Sequence, residues 1–186
     1  MGYWGLFIIV MLAGVVIQST LQGKFAKYSK VSLKYGYTGA DIARKMMQDN
    51  GITDVKVECI EGTLTDHYNP STKTVNLSKK VYYGSSVAAA AVAAHECGHV
   101  VQHAVGYAPL KLRSALVPVV SFANNTVQWI LLLGMLMIKT FPTLLWIGIA
   151  LFAMTTLFSF VTLPVEINAS ARAVKWLDNA GITDYE

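Results

Sequence analysis

Residues 95–103 read HECGHVVQH, directly after the run SSVAAAAVAA at 85–94. Three of the chain's four histidines stand in this stretch. On a helix, His95 and His99 share a face with their side chains about 6 Å apart, so both imidazoles can reach one ion. Glu96 projects to the side, where its carboxylate can accept a proton from a water held on such an ion, the arrangement of the HExxH motif. Ser85 or Ser86 as a cap, with Gly106 and Pro109 as stop signals, predicts a helix over 87–104. A reading without chemistry stands beside this one: His95 and His99 as interfacial side chains of an amphipathic helix, with Glu96 paired to a lysine. Against it, a charged, histidine-rich stretch directly behind Ala88–Ala94 is costly to bury without a purpose.

The 186 residues are 54% hydrophobic and only 14% charged. A soluble domain carries nearer a quarter charged residues, so much of this apolar surface is expected to face lipid. Residues 2–21, GYWGLFIIVMLAGVVIQSTL, hold no charge over a length that crosses a hydrocarbon core of about 30 Å. No basic stretch precedes them and no small-x-small cleavage site follows. Tyr3 and Trp4 at one end, with Lys24, Lys27 and Lys30 beyond the other, read as anchors of a retained span rather than a cleaved signal. Residues 117–138 and 143–163 form two further expected spans, and the short KTFPT linker predicts an antiparallel hairpin. Asn124, Asn125, Thr126 and Gln128, inside the second span, are expected to face a protein interior or a wet cavity.

The remaining polar segment, 22–113, holds twelve of the fifteen Lys and Arg residues, and the positive-inside bias places it in the cytoplasm. The net charge of +4 is therefore read as topological, with attraction to anionic headgroups. Basic residues spread along the segment without an aromatic-interleaved patch argue against nucleic acid as a partner. Two cysteines, Cys59 and Cys97, are too few for a disulfide framework. Within the segment, Thr38 opens a helix that Asn50-Gly51 ends, DVKVECI and TKTVNLS read as strands, and TLTDHY is a possible third. The expected fold is a mainly α membrane protein with a small α+β domain.

A catalytic zinc takes three protein ligands and keeps one position open. His103 lies about 12 Å of helical rise from His95 and cannot join the same ion. The metzincin spacing fails, since it needs Gly at 102 and His at 105 where the chain has Gln102 and Val105. Glu166 is the only carboxylate between Glu96 and Asp178, and the hairpin returns it to the membrane face of the 87–104 helix. With Pro164 starting or kinking a helix over 164–180, Glu166 falls in an early turn. A glutamate on a second helix is the gluzincin pattern; Asp66 and His67 in the loop remain competing donors by ligand type.

The run TDHYNPSTKTVNLS, the helix VAAHECGHVVQHAVGYAPLKLRSALVP and the later TLPVEINASARA together resemble the YugP-like neutral zinc metallopeptidases, small integral membrane proteins of bacteria. They are more distantly similar to the HtpX and CAAX-protease group of membrane gluzincins. The resemblance covers nearly the whole chain. It implies one zinc ion per chain held by His95, His99 and Glu166, with Glu96 as the catalytic carboxylate. The HtpX-like relatives carry an aspartate four residues after this glutamate, where the chain has Ser170. Such families usually continue with another hydrophobic segment, which is expected beyond Tyr185-Glu186.

The expected activity is peptide-bond hydrolysis in which zinc acidifies its water and Glu96 moves the proton to the leaving amine. His67, with Tyr68 as alternative, is a candidate to steady the oxyanion from an edge strand that pairs with extended substrate. A turn-stabilising role for His67 is the competing reading. Cys97 reads as packing, and Gly98 as a place where a neighbour comes close. The expected partners are the lipid bilayer and protein or peptide substrates near it, and the expected location is a bacterial inner membrane, crossed several times, with the site facing the cytoplasm. Two rivals come from other classes: a non-catalytic zinc-binding membrane adaptor or assembly factor, and a transporter, which spans lacking paired charges argue against.

Overall fold

The computed structural model describes residues 2–182 and the side chains of 4–182. The Tyr3 side chain and Tyr185-Glu186 lie outside these. Among the described residues, six helices and three strands follow in the order α1 (Gly2–Tyr28), α2 (Gly39–Asp49), β1 (Lys56–Ile60), β2 (His67–Asn69), β3 (Thr74–Ser78), α3 (Lys79–Tyr82), α4 (Val87–Ala104), α5 (Ala108–Leu136) and α6 (Thr143–Asn179). The chain divides into two compact units, one running to Cys97 and resuming at Ala173, the other Gly98–Arg172. Both boundaries fall inside unbroken helices, α4 and α6.

In the first unit, α2 begins with a capping box at Thr38. The Asp41 N–H donates to Thr38 Oγ1 at 3.2 Å, and Asp41 Oδ2 accepts from the Thr38 hydroxyl at 2.6 Å and from its N–H at 3.0 Å. The same helix buries Ile42, Ala43, Met46 and Met47 and stops at Asn50-Gly51, where Gly51 takes φ +69°. The sheet has the order β1-β3-β2, with β1 parallel and β2 antiparallel to the central β3. All five residues of β3 are buried, as a middle strand covered on both faces requires.

The third strand is shorter and later than the expected TLTDHY. Leu64 sits at φ 59° and Gly62 at φ +114°, so the chain turns there and extends only from His67. Next, Ser86 Oγ accepts from the Ala89 N–H at 3.2 Å and caps α4. The alanines that follow let α4 approach closely: Ala90, Ala93, Ala94 and Cys97 are fully buried, and the Cys97 thiol donates to Ala43 O of α2 at 3.5 Å.

The second unit is dominated by the α5–α6 pair. Gly134 and Gly148 sit where a Cβ would meet Leu145 backbone at 2.8 Å and the Leu131 side chain at 2.7 Å, so small residues bring the two helices together. Among the described residues, three helices are long and apolar enough to cross a membrane: Trp4–Tyr28, Ala108–Leu136 and Thr143–Asn179. Almost none of their apolar windows is covered by protein, as lipid-facing helices require. The architecture is thus mainly α, with three candidate spans and a small sheet.

Two expectations change here. The helix of the second span starts at Ala108, with Pro109 in its first turn, and so includes Lys111 and Arg113. The third span and the 164–180 helix are one helix, with Pro164 inside it: proline removes one ladder hydrogen bond, which a helix of 37 residues tolerates. On α5, Asn124, Asn125 and Gln128 are exposed, and Thr126 Oγ1 donates back to Phe122 O at 2.7 Å.

The capping box yields a prediction. Hydrogen bonds from the Thr38 side chain and then its backbone hold the Asp41 carboxyl below its ordinary value of 3.8. A depressed carboxyl contributes stability above its unfolded value, and that contribution is lost as pH falls through the folded one. Thr38→Ala is expected to cost about 1 kcal/mol at neutral pH. In thermal unfolding, the gap from the parent protein should close as the pH is taken below 3.8.

Candidate metal centre

Helix α4 positions two side chains before any packing is considered. Its backbone is continuous from Val87 to Ala104, so His95 and His99 stand one turn apart on one face. Glu166 comes from α6. Its Oε2 lies 3.3 Å from His99 Nε2, and ligand atoms of His95, His99 and Glu166 all fall within 4.8 Å of one another. These three residues form a cluster able to hold a metal ion. Two imidazole nitrogens and a carboxylate oxygen are a donor set that fits zinc, which binds both types at about 2.0–2.2 Å.

Glu96 is not one of these three residues. Buried to 9% exposure, its Oε2 accepts from the Tyr68 backbone N–H at 3.1 Å. Tyr68 lies on the edge strand β2, whose outward amide thus holds the carboxylate beside α4. Burial, and after it the charge of Asp54, pushes the Tyr68 phenol up. Burial likewise raises the Cys97 thiol far above its ordinary value, with a smaller push from Glu96. A thiol in that state is packing material rather than a nucleophile or ligand.

The loop donors have other duties. His67 Nδ1 lies 2.7 Å from Thr65 O, an acceptor, so that nitrogen carries the proton, and Nε2 accepts from Asn76 Nδ2 at 3.2 Å. Both nitrogens hold the turn into β2, and His67 is outside the metal cluster. These contacts are those that a turn-stabilising His67 makes. Asp66 accepts from the Ser78 N–H at 2.7 Å and from its hydroxyl at 3.2 Å. It ties the loop to the end of β3.

Around His99 and Glu166 the second unit builds a polar shell. Gln102 is fully buried, with Oε1 3.0 Å from His99 Nδ1, and its Nε2 donates to Val165 O at 2.8 Å and to Asn168 Oδ1 at 3.0 Å. Arg113 Nη2 stands 3.9 Å from Glu166 Oε1, the oxygen turned away from His99. Sequence reasoning missed both residues. Gln102 entered it only as a break in the metzincin spacing and Arg113 only as one of the twelve basic residues counted in 22–113. The available signal was position: Gln102 is an uncharged polar residue three places after His99, on the same helix face.

A model of the family described as "Putative neutral zinc metallopeptidase" matches residues 3–186. The chain belongs to that family. It is 43% identical over 180 residues to "Putative membrane protease YugP" of Bacillus subtilis (strain 168), covering 95% of this chain and 79% of that relative. No solved structure matches it. With its three long apolar helices, the chain is a membrane protein of a zinc metallopeptidase family.

Gly98 supplies a test of how closely α4 and α6 must meet. A Cβ there would lie 2.5 Å from Ala169 O, so the two backbones touch between His99 and Glu166. Gly98→Ala forces that carbonyl away and is expected to cost about 1–3 kcal/mol by overpacking. Thermal unfolding and bound metal per chain should both fall.

Proposed function

We propose that the chain is a membrane-embedded, zinc-dependent endopeptidase of the gluzincin type. His95, His99 and Glu166 hold one zinc ion, and Glu96 is the general base and acid. The observation that carries this is the convergence of the three donor atoms within 4.8 Å, with Glu96, the residue after His95, buried and its carboxylate accepting from the Tyr68 amide. When bound, zinc supplies Lewis-acid polarisation of the scissile carbonyl and acidifies water. Glu96 accepts a proton from the attacking water and returns it to the leaving amine, and a buried carboxylate held by one N–H is oriented for both transfers. Glu166 contributes the single negative charge of the ligand set, with the Arg113 guanidinium beside its outer oxygen.

The substrates are polypeptide segments at the bilayer surface. Lys24, Lys27, Lys30 and Lys34 follow the apolar stretch of α1, and Lys111 and Arg113 lie in the first turns of α5. By the positive-inside bias these flanks face the cytoplasm of a bacterial cell, and the site with them. The edge position of β2 beside α4 suits it to receive an extended peptide as an added strand.

The deciding experiment compares the purified protein with Glu96→Gln and His99→Ala forms, assaying zinc per chain and cleavage of casein or a peptide. Glu96→Gln is expected to keep its zinc and lose about 10²–10⁴-fold in rate; His99→Ala is expected to lose zinc and activity together. Cleavage that survives Glu96→Gln at the parent rate would remove the mechanism. A parent protein that holds zinc and cuts nothing would point to the adaptor role.

A further inference from the structure

The Gln102 amide has only one orientation compatible with its partners. Arg172 Nε, a donor, reaches Asn168 Oδ1 at 2.8 Å, so that atom accepts. Val165 O also accepts. The Gln102 atom 2.8 Å from Val165 O and 3.0 Å from Asn168 Oδ1 is therefore the amide nitrogen, donating one hydrogen to each. Its other atom, Oε1, has no hydrogen to give, and it faces His99 Nδ1 at 3.0 Å. Nδ1 must carry the proton. The lone pair of the singly protonated ring is then on Nε2, turned toward Glu166 Oε2 at 3.3 Å.

We propose that Gln102 is the positioning residue of the metal centre: its carbonyl oxygen locks His99 in the Nδ1–H tautomer and presents Nε2 as a ligand. The amino group serves this by anchoring the amide on α6, so the amide cannot rotate and offer His99 a donor. Full burial supports the lock, because no water competes for Oε1. Orienting partners of metal-bound histidines matter in this way generally: their loss weakens metal binding by about 10–100-fold. The proposal rests on the reading of His95, His99 and Glu166 as ligands.

The test uses the full chain in detergent micelles or nanodiscs, ¹⁵N-labelled at its four histidines. In the metal-free protein, at a pH well above the ordinary histidine value of about 6.5, long-range ¹H–¹⁵N spectra should show His99 as the Nδ1–H tautomer. Gln102→Met should let the ring sample both tautomers. Competition for Co²⁺ against a chelating dye should show affinity about 10–100-fold weaker in Gln102→Met and closer to the parent in Gln102→Glu. Glutamate keeps an acceptor for His99 but loses both donors to α6. A residue serving only to join the helices predicts the reverse order, with Gln102→Glu the worse.

An Nε2–H tautomer in the parent protein overturns the proposal, as does a folded Gln102→Met that binds Co²⁺ as tightly as the parent. If Gln102→Met does not fold, the parent's tautomer still decides. A parent protein that shows the Nδ1–H tautomer but takes up no Co²⁺ overturns the metal-site reading itself, a separate failure.

Discussion

The backbone contact between Gly98 and Ala169 is the constraint on which the rest of the centre depends. A helix normally holds its neighbours at 8–10 Å because side chains stand between the axes. Here a side chain is absent at 98, and the Ala169 carbonyl takes the space a Cβ would fill. That closeness lets a short glutamate side chain on α6 come within 3.3 Å of an imidazole on α4. It also lets one amide, Gln102, bond to His99 on its own helix and to a carbonyl of the other. The alanines before His95 do similar work against α2, whose Ala43 carbonyl meets the Cys97 thiol.

Polar groups buried in so apolar a chain need partners, because an unpaired one costs about 1–3 kcal/mol. Three such groups near the centre have them. Glu96 has the Tyr68 amide, His99 has Gln102 and Glu166, and Gln102 has two acceptors on α6. The same demand explains the loop before β2. Asp66 and His67 read as metal donors by residue type, but the tight turn at Gly62 and Leu64 has to be held, and Ser78, Thr65 and Asn76 take up their hydrogen-bonding capacity.

Much of the fold was legible because it follows from short-range rules. The apolar runs in α1, α5 and α6 are visible to hydropathy, and Thr38 with Asp41, and Asn50 with Gly51, mark both ends of α2 through local hydrogen bonds. Less legible was anything set by competition. Pro164 reads as a boundary, yet the helix runs through it, because the turns on both sides outweigh one lost bond. Strand β2 came out shorter than its alternation suggested because a positive φ at Leu64 cannot be seen in residue types.

For the centre itself, the four-residue spacing of His95 and His99 and the place of Glu96 next to them were determined by the sequence alone, because helical periodicity is local and needs no partner. That Glu166 was the carboxylate to expect also came from the chain, by scarcity of acidic residues and the return of a hairpin. Only the tertiary structure decided that its oxygen reaches His99, that Gln102 rather than a charged residue stands behind that ring, and that His67 contacts Thr65 and Asn76. Those outcomes depend on distances between segments far apart in the chain, which close packing sets and no local pattern records.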